Sequence, residues 1–140
     1  YKTDLLFLVD EDTNAFNKII DGFRMPKSTP EEVKIRKEAI ENATKYATEI
    51  PFKVMETAYN SMEVMMIMAK KGIQNSLSDA GVGALCARTA VVGAYFNVRI
   101  NAKDIKDKSF AEEILSKAKK IYNKTRLLEN EMIQLIDSKI

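Results

Sequence analysis

The sequence predicts an all-α protein: an antiparallel helical bundle, formed by a single domain over residues 1–140. Three observations carry this expectation. Apolar residues recur at three- and four-residue spacing along the chain, and no alternating segment is long enough for a useful strand. Breaks are few and fall at proline or glycine. Two stretches, "TPEE" and "SFAE", have the form of a capping box that opens a helix.

The first helix is expected from about Thr3 to Arg24, ending where "RMPKSTP" places Pro26 and Pro30. Thr29 can cap the second, with Pro30 at the first helical position and Glu32 completing the box. That helix is expected to reach about Glu49, with Pro51 restarting or kinking the chain. A third, from Pro51 to Lys71, carries Phe52, Met55, Tyr59, Met62, Met66 and Ala69 on one face and stops at "KKG". Methionine adapts to irregular gaps, so this stripe reads as core filling.

Ser78 reads as the next N-cap, with Asp79 in the first turn, where negative charge is favoured. Gly83, Ala87, Ala90 and Ala94 then recur at helical spacing. Residues this small let another helix backbone approach, which offsets the roughly 1 kcal/mol that glycine costs a helix. "NVRIN" leads out to a last helix from about Ser109 to Ser138, capped by Ser109 and Glu112. Its seam of Ile114, Ala118, Ile121, Thr125, Leu128, Met132 and Leu135 suits a long bundle helix or a dimer contact.

Composition removes several function classes. With 22 basic and 20 acidic residues the net charge is only +2, so no concentrated basic patch invites nucleic acid. Uncharged stretches are far too short to span a bilayer. The single cysteine, Cys86, precludes an intrachain disulfide and suggests a reducing, cytoplasmic setting. There is no histidine, so this chain supplies no imidazole base, no imidazole metal ligand and no Ser/His or Cys/His pair. Proton transfer would fall to a carboxylate or a lysine.

"LFLVDEDTNAF" holds three consecutive acids, and helical projection separates them. Asp10 shares a face with Thr3, Asn14 and Asn17, and Glu11 with Asp4, Asn14 and Lys18; both read as solvated. Asp12 falls in the apolar row Leu5, Leu8, Asp12, Ala15, Ile19, beside a second row of Leu6, Val9, Phe16, Ile20 and Phe23. A carboxyl group desolvated beside like charges keeps its proton more readily and can serve as a general acid. Asp12 is therefore either that acid or one half of a structural ion pair.

Arg36 interrupts the row Val33, Arg36, Ile40, Ala43, Ala47 and Ile50. It would pair with a buried acid, hold a substrate carboxylate through its planar fork, or snorkel to water. Asp79 reads first as a helix-start acid. Tyr95, Phe96 and Asn97 have the chemistry to stack on and hydrogen-bond a flat heterocycle, although paired aromatics in a helix more often fill a core. Glu56 is a weaker candidate.

Taken together, "LVDEDTNAFN", "RMPKSTPEE", "SDAGVGAL" and "GAYFNVRIN" followed by "DIKD" closely resemble the cyclodeaminase domain of formimidoyltransferase-cyclodeaminase and the related small folate cyclohydrolases. The likeness runs in order over almost the whole chain. It implies an all-helical domain that forms a homodimer, or a higher oligomer of dimers, through its helices. It also implies closure of 5-formimidoyltetrahydrofolate to 5,10-methenyltetrahydrofolate with release of ammonia, a step of histidine breakdown. The folate is the substrate, and no cofactor or metal is implied. The aspartate matching Asp12 is the family's proposed catalytic acid. Within that reaction, Arg36 or Arg99 would hold a glutamate carboxylate of the folate tail, and Asp79 or Asn97 the pterin edge.

Two departures stand out. The family's glycine-rich N-terminal helix has no counterpart ahead of Tyr1, and Ile73 replaces an asparagine common in relatives. The alternatives are a methenyltetrahydrofolate cyclohydrolase, with the same carboxyl as base, and a non-catalytic helical dimerisation module. A formimidoyltransferase domain is a further expected partner.

Overall fold

The computed structural model describes all 140 residues. Four helices follow one another: α1 (Lys2–Arg24), α2 (Pro30–Lys71), α3 (Leu77–Ala102) and α4 (Lys108–Asp137), with one 3₁₀ turn at Gln74–Ser76. Short connections fold α2, α3 and α4 back on one another in antiparallel sequence. α1 packs on α2, α2 packs extensively on α3, and α4 closes over both.

The capping box that opens α2 forms as expected. Glu32 N donates to Thr29 Oγ1 at 3.2 Å, and Thr29 N donates back to Glu32 Oε2 at 3.1 Å. Beyond it the expectation of two helices fails, because α2 runs unbroken for 42 residues with Pro51 inside it. Proline has no N–H, so the carbonyl of Ala47 loses its normal partner one turn ahead. Asn101 of α3 replaces that partner: its Nδ2 donates to Ala47 O at 2.8 Å. A helix about 63 Å long results, at 1.5 Å per residue.

The ends of α3 and α4 also differ from expectation. α3 begins at Leu77 after Ser76, with no side-chain cap from Ser78, and "NVRIN" stays helical to Ala102. α4 is capped by Asp107 and not by Ser109: Phe110 N donates to Asp107 Oδ1 at 3.1 Å. The earlier start has a tertiary cause. Glu41 on α2 accepts the backbone N–H groups of Lys106 and Asp107 at 3.0 Å, and Lys45 binds Asp107 Oδ2 at 2.7 Å. This clamp fixes the α3–α4 turn against α2 and aims Asp107 at the helix end. At the far end of the bundle, Lys139 Nζ donates to the Ala69 carbonyl at 2.7 Å.

The methionine stripe is core. Met55 and Met62 are fully buried and Met66 nearly so, against Leu77, Ala84, Val91 and Val98 of α3. The α4 seam faces the same core, with Ile114, Ala118, Thr125 and Met132 buried. It is therefore a bundle seam within one chain. Small residues on α3 allow the close packing: a Cβ on Gly81 would stand 2.6 Å from Ile136 Cδ1. Ala90 is the exception to its row, exposed and bordering a hollow beneath α1. Over Gln74–Ala102 the chain is long and apolar enough to cross a bilayer by composition alone. Here it lies between α2 and α4, with Arg88 paired to Glu129 of α4 at 3.1 Å.

α1 has one packed side only. Leu8 and Ala15 are buried against Ala47 and Ile50. Leu6, Val9, Phe16 and Phe23 remain 56–64% exposed.

Two measurements test this packing. Met55→Ala should cost about 2–5 kcal/mol, as expected for a large side chain removed from a filled core, read from urea unfolding. A loss below ~1 kcal/mol would show that the site collapses or was never full. The second concerns acid. Lys45 first, then the Phe110 N–H, holds Asp107 below its ordinary value. Desolvation pushes Glu41 up, but the N–H groups of Asp107 and Lys106 outweigh it, and its carboxyl is also lowered. Carboxylates lowered on folding add stability that is whole above their unfolded values and is lost as pH falls through the folded ones. The thermal midpoint should hold level above about pH 5 and fall below ~pH 4. Glu41→Gln should flatten part of that slope, and an unchanged slope would remove Glu41 from it.

Candidate active site

The site lies where α1 overhangs the groove between α2 and α3. Leu8 and Ala15 seat the helix on α2, and the edge carrying Leu5, Asp12 and Ile19 projects past α2 toward α3. Beneath it opens a cavity of about 450 Å³, walled by Leu5, Leu8 and Val9 of α1, Pro51 and Val54 of α2, and Ala90 and Ala94 of α3. The two alanines leave the space that larger side chains would fill. A smaller space of about 200 Å³ adjoins it, bounded by Phe16, Ile19, Ala47 and Asn101. Asp12 and Asn97 border both spaces.

The result is a mostly apolar hollow with a few converging polar groups, the usual form of a small-molecule site. Neither Asp12 nor Asn97 forms a hydrogen bond or ion pair through its side chain within the chain. Asp12 differs from expectation in one respect: it is exposed. It shares the apolar stripe of Leu8 and Ala15, but α2 is too narrow to cover that edge of α1, and α3 stands a cavity's width away.

Glu11 also differs, since it is not a free solvated acid. Tyr46 of α2 donates its hydroxyl to Glu11 Oε2, and Asn14 Nδ2 donates to Oε1 at 3.1 Å. The Tyr46 bond first, then that of Asn14, holds the Glu11 carboxyl below its ordinary value, and the same bond raises the Tyr46 hydroxyl. Lys18 sits 4.1 Å from the centre of the Tyr46 ring. Glu11 thus fastens α1 to α2 while its neighbour Asp12 faces the cavity.

The other expected residues do not gather at Asp12. Arg36 donates from Nη2 to the Phe23 carbonyl at 3.2 Å, with its guanidinium 5.5 Å from the Phe23 ring, and so closes the end of α1. Its Nε is buried without a partner, and no acid pairs with it. Phe23 lies eleven residues beyond Asp12, about 16 Å along the helix. Asp79 is exposed in the first turn of α3, about 27 Å along that helix from Asn97. Arg99 stands about 200° around α3 from Asn97 and lies 5.5 Å from the Tyr95 ring. Tyr95, half-buried, stacks on Tyr122 of α4 at 4.7 Å, whereas Phe96 is exposed, so the two neighbouring aromatics of α3 do not fill the core together. Glu56 belongs to a separate polar groove between α2 and α4, with Glu49, Lys53, Glu113 and Lys117.

Of the five expected site residues, then, the structure brings Asp12 and Asn97 together and leaves Arg36, Asp79 and Arg99 elsewhere. Asn101 was not anticipated. Its signal lay in Pro51, because a proline inside a helical pattern demands a donor from outside.

Comparison with known proteins agrees with this architecture. Residues 1–120 match the family model described as formiminotransferase-cyclodeaminase. A methenyltetrahydrofolate cyclohydrolase of Methylorubrum extorquens is 32% identical over 95% of this chain and 64% of its own length. The formimidoyltransferase-cyclodeaminase of Gallus gallus is 38% identical over 90% of this chain but 22% of its own. A formiminotetrahydrofolate cyclodeaminase from Thermotoga maritima, known by crystal structure, superposes with a TM-score of 0.81 at 22% identity, covering 96% of this chain and 63% of that one. The chain thus spans under two thirds of the relatives it matches. By the extent of that match and by its four-helix architecture, it belongs to the formiminotransferase-cyclodeaminase family.

Proposed function

We propose that this domain closes 5-formimidoyltetrahydrofolate to 5,10-methenyltetrahydrofolate and releases ammonia, with Asp12 moving the proton. The observation that carries the reading is a carboxylate without an intramolecular partner, set at the edge of an apolar cavity opposite Asn97. The folate N10 attacks the formimidoyl carbon, forming the N10–C bond and giving a tetrahedral centre. N10 must then lose a proton, and the amino nitrogen must gain one before its C–N bond breaks. One carboxylate between the two nitrogens can take the first proton and deliver it to the second, leaving as it began. With no histidine in the chain, Asp12 is the group of suitable type at the cavity. Asn97 would orient the flat ring by its carboxamide.

A homodimer is part of this proposal. Leu6, Val9 and Phe16, exposed on α1 beside Asp12, form an apolar face of the kind that marks interaction sites. A second copy packed there would cover the open side of the cavity and dry the proton path. A formimidoyltransferase domain is the proposed further partner, histidine breakdown the proposed setting and the cytoplasm the proposed compartment.

The second reading is a methenyltetrahydrofolate cyclohydrolase, favoured by the Methylorubrum extorquens relative, which matches over 95% of this chain. There Asp12 would take a proton from water as it adds to the methenyl carbon.

Absorbance at the methenyl band separates the two, rising with the formimidoyl substrate for the first and falling with the methenyl substrate for the second. Asp12→Asn should lower kcat by about 10²–10⁴-fold with the helical circular dichroism unchanged. Undiminished turnover would rule out the proton role. Val9→Glu with Phe16→Glu should convert a dimer to a monomer in sedimentation, and the parent sedimenting as a monomer would refute the proposed interface.

A further inference from the structure

We propose that Asn101 is a positioning residue for the Asp12 site, oriented by the carbonyl that Pro51 orphans at Ala47. The inference rests on the functional reading above for its catalytic readout but not for its geometry. Pro51 cannot donate to Ala47 O, and Asn101 Nδ2 does so at 2.8 Å, from 54 residues away in sequence. That bond decides which way the carboxamide lies: its nitrogen must face Ala47, so its oxygen is left over. No group of the chain donates to this oxygen. Ala47, Asn97 and Asn101 border one space with Asp12.

Asn97 and Asn101 are four residues apart and share a face of α3. Anchoring the second therefore sets the rotation of α3 that aims the first across the cavity at Asp12. The spare oxygen of Asn101 adds a fixed hydrogen-bond acceptor to the same wall.

The test is a cycle of Asn101→Ala, Pro51→Ala and the double variant, each in the full chain. Asn101→Ala leaves the Ala47 carbonyl bare and should lower the thermal midpoint. Pro51→Ala returns a backbone N–H to that carbonyl, so in its background Asn101→Ala should cost less stability. Turnover should behave differently. kcat should fall at least tenfold in Asn101→Ala, with a smaller change in KM, and stay low in the stabilised double variant. The Asn97 side-chain amide resonance should shift in both variants that lack Asn101. Recovery of both kcat and this resonance in the double variant would reduce Asn101 to a purely structural tie and overturn the proposal. An unmoved Asn97 resonance in Asn101→Ala would overturn it too. A parent chain that turns over neither folate would refute the functional reading alone, because the resonance still reports the positioning.

Discussion

One missing N–H organises this molecule. Pro51 sits near the middle of α2, and a buried carbonyl left without a donor there would cost about 1–3 kcal/mol and invite the helix to break. The side-chain amide of Asn101 supplies the donor, so α2 continues as one rod and is tied at that point to α3, whose Val91 and Val98 are buried in the core it shares with Met55. The cavity lies beside this tie. Ala90 and Ala94 line the hollow, Asn97 faces Asp12, and the bulkier Val91 and Val98 turn into the core.

The second constraint is the way α1 is held. It contacts α2 along one stripe, with the Glu11–Tyr46 bond near its middle and the Arg36 bond to the Phe23 carbonyl at its end. These polar ties do what a second packed neighbour would otherwise do, and leave the adjacent edge free. Glu11 meets Tyr46 and Asn14, and Asp12 borders the cavity without a side-chain partner. The 100° between successive helix residues thus sets two neighbouring acids in different surroundings.

Much of the fold was legible because it depends on local period. The capping box at Thr29, the methionine core stripe and the seam of α4 all follow from residues within a few turns of one another. What was not legible depends on partners far away in sequence. The continuity of α2 needed Asn101, and the cap of α4 at Asp107 needed Glu41 and Lys45, more than sixty residues earlier. The site divides the same way. Projection put Asp12 on the packed stripe of α1 but could not say how much of that stripe α2 would cover. Arg36, Asp79 and Arg99 have chemistry suited to a folate, yet distance along one helix or rotation around it sets each apart from Asp12.

The clamp at the α3–α4 turn bears on the order in which the molecule is made. Glu41 and Lys45 emerge from the ribosome long before Lys106 and Asp107, and Ala69 long before Lys139. Domains generally take shape from the N-terminus during synthesis, and contacts of long sequence separation close late. The α1–α2 pair can therefore form while α4 is still being translated, with both anchor points for the last helix already presented. Until α4 arrives, Met62, Met66 and the small-residue face of α3 have no cover on that side. The nascent chain is most exposed to sticking to its neighbours while the residues of α4 are still being added.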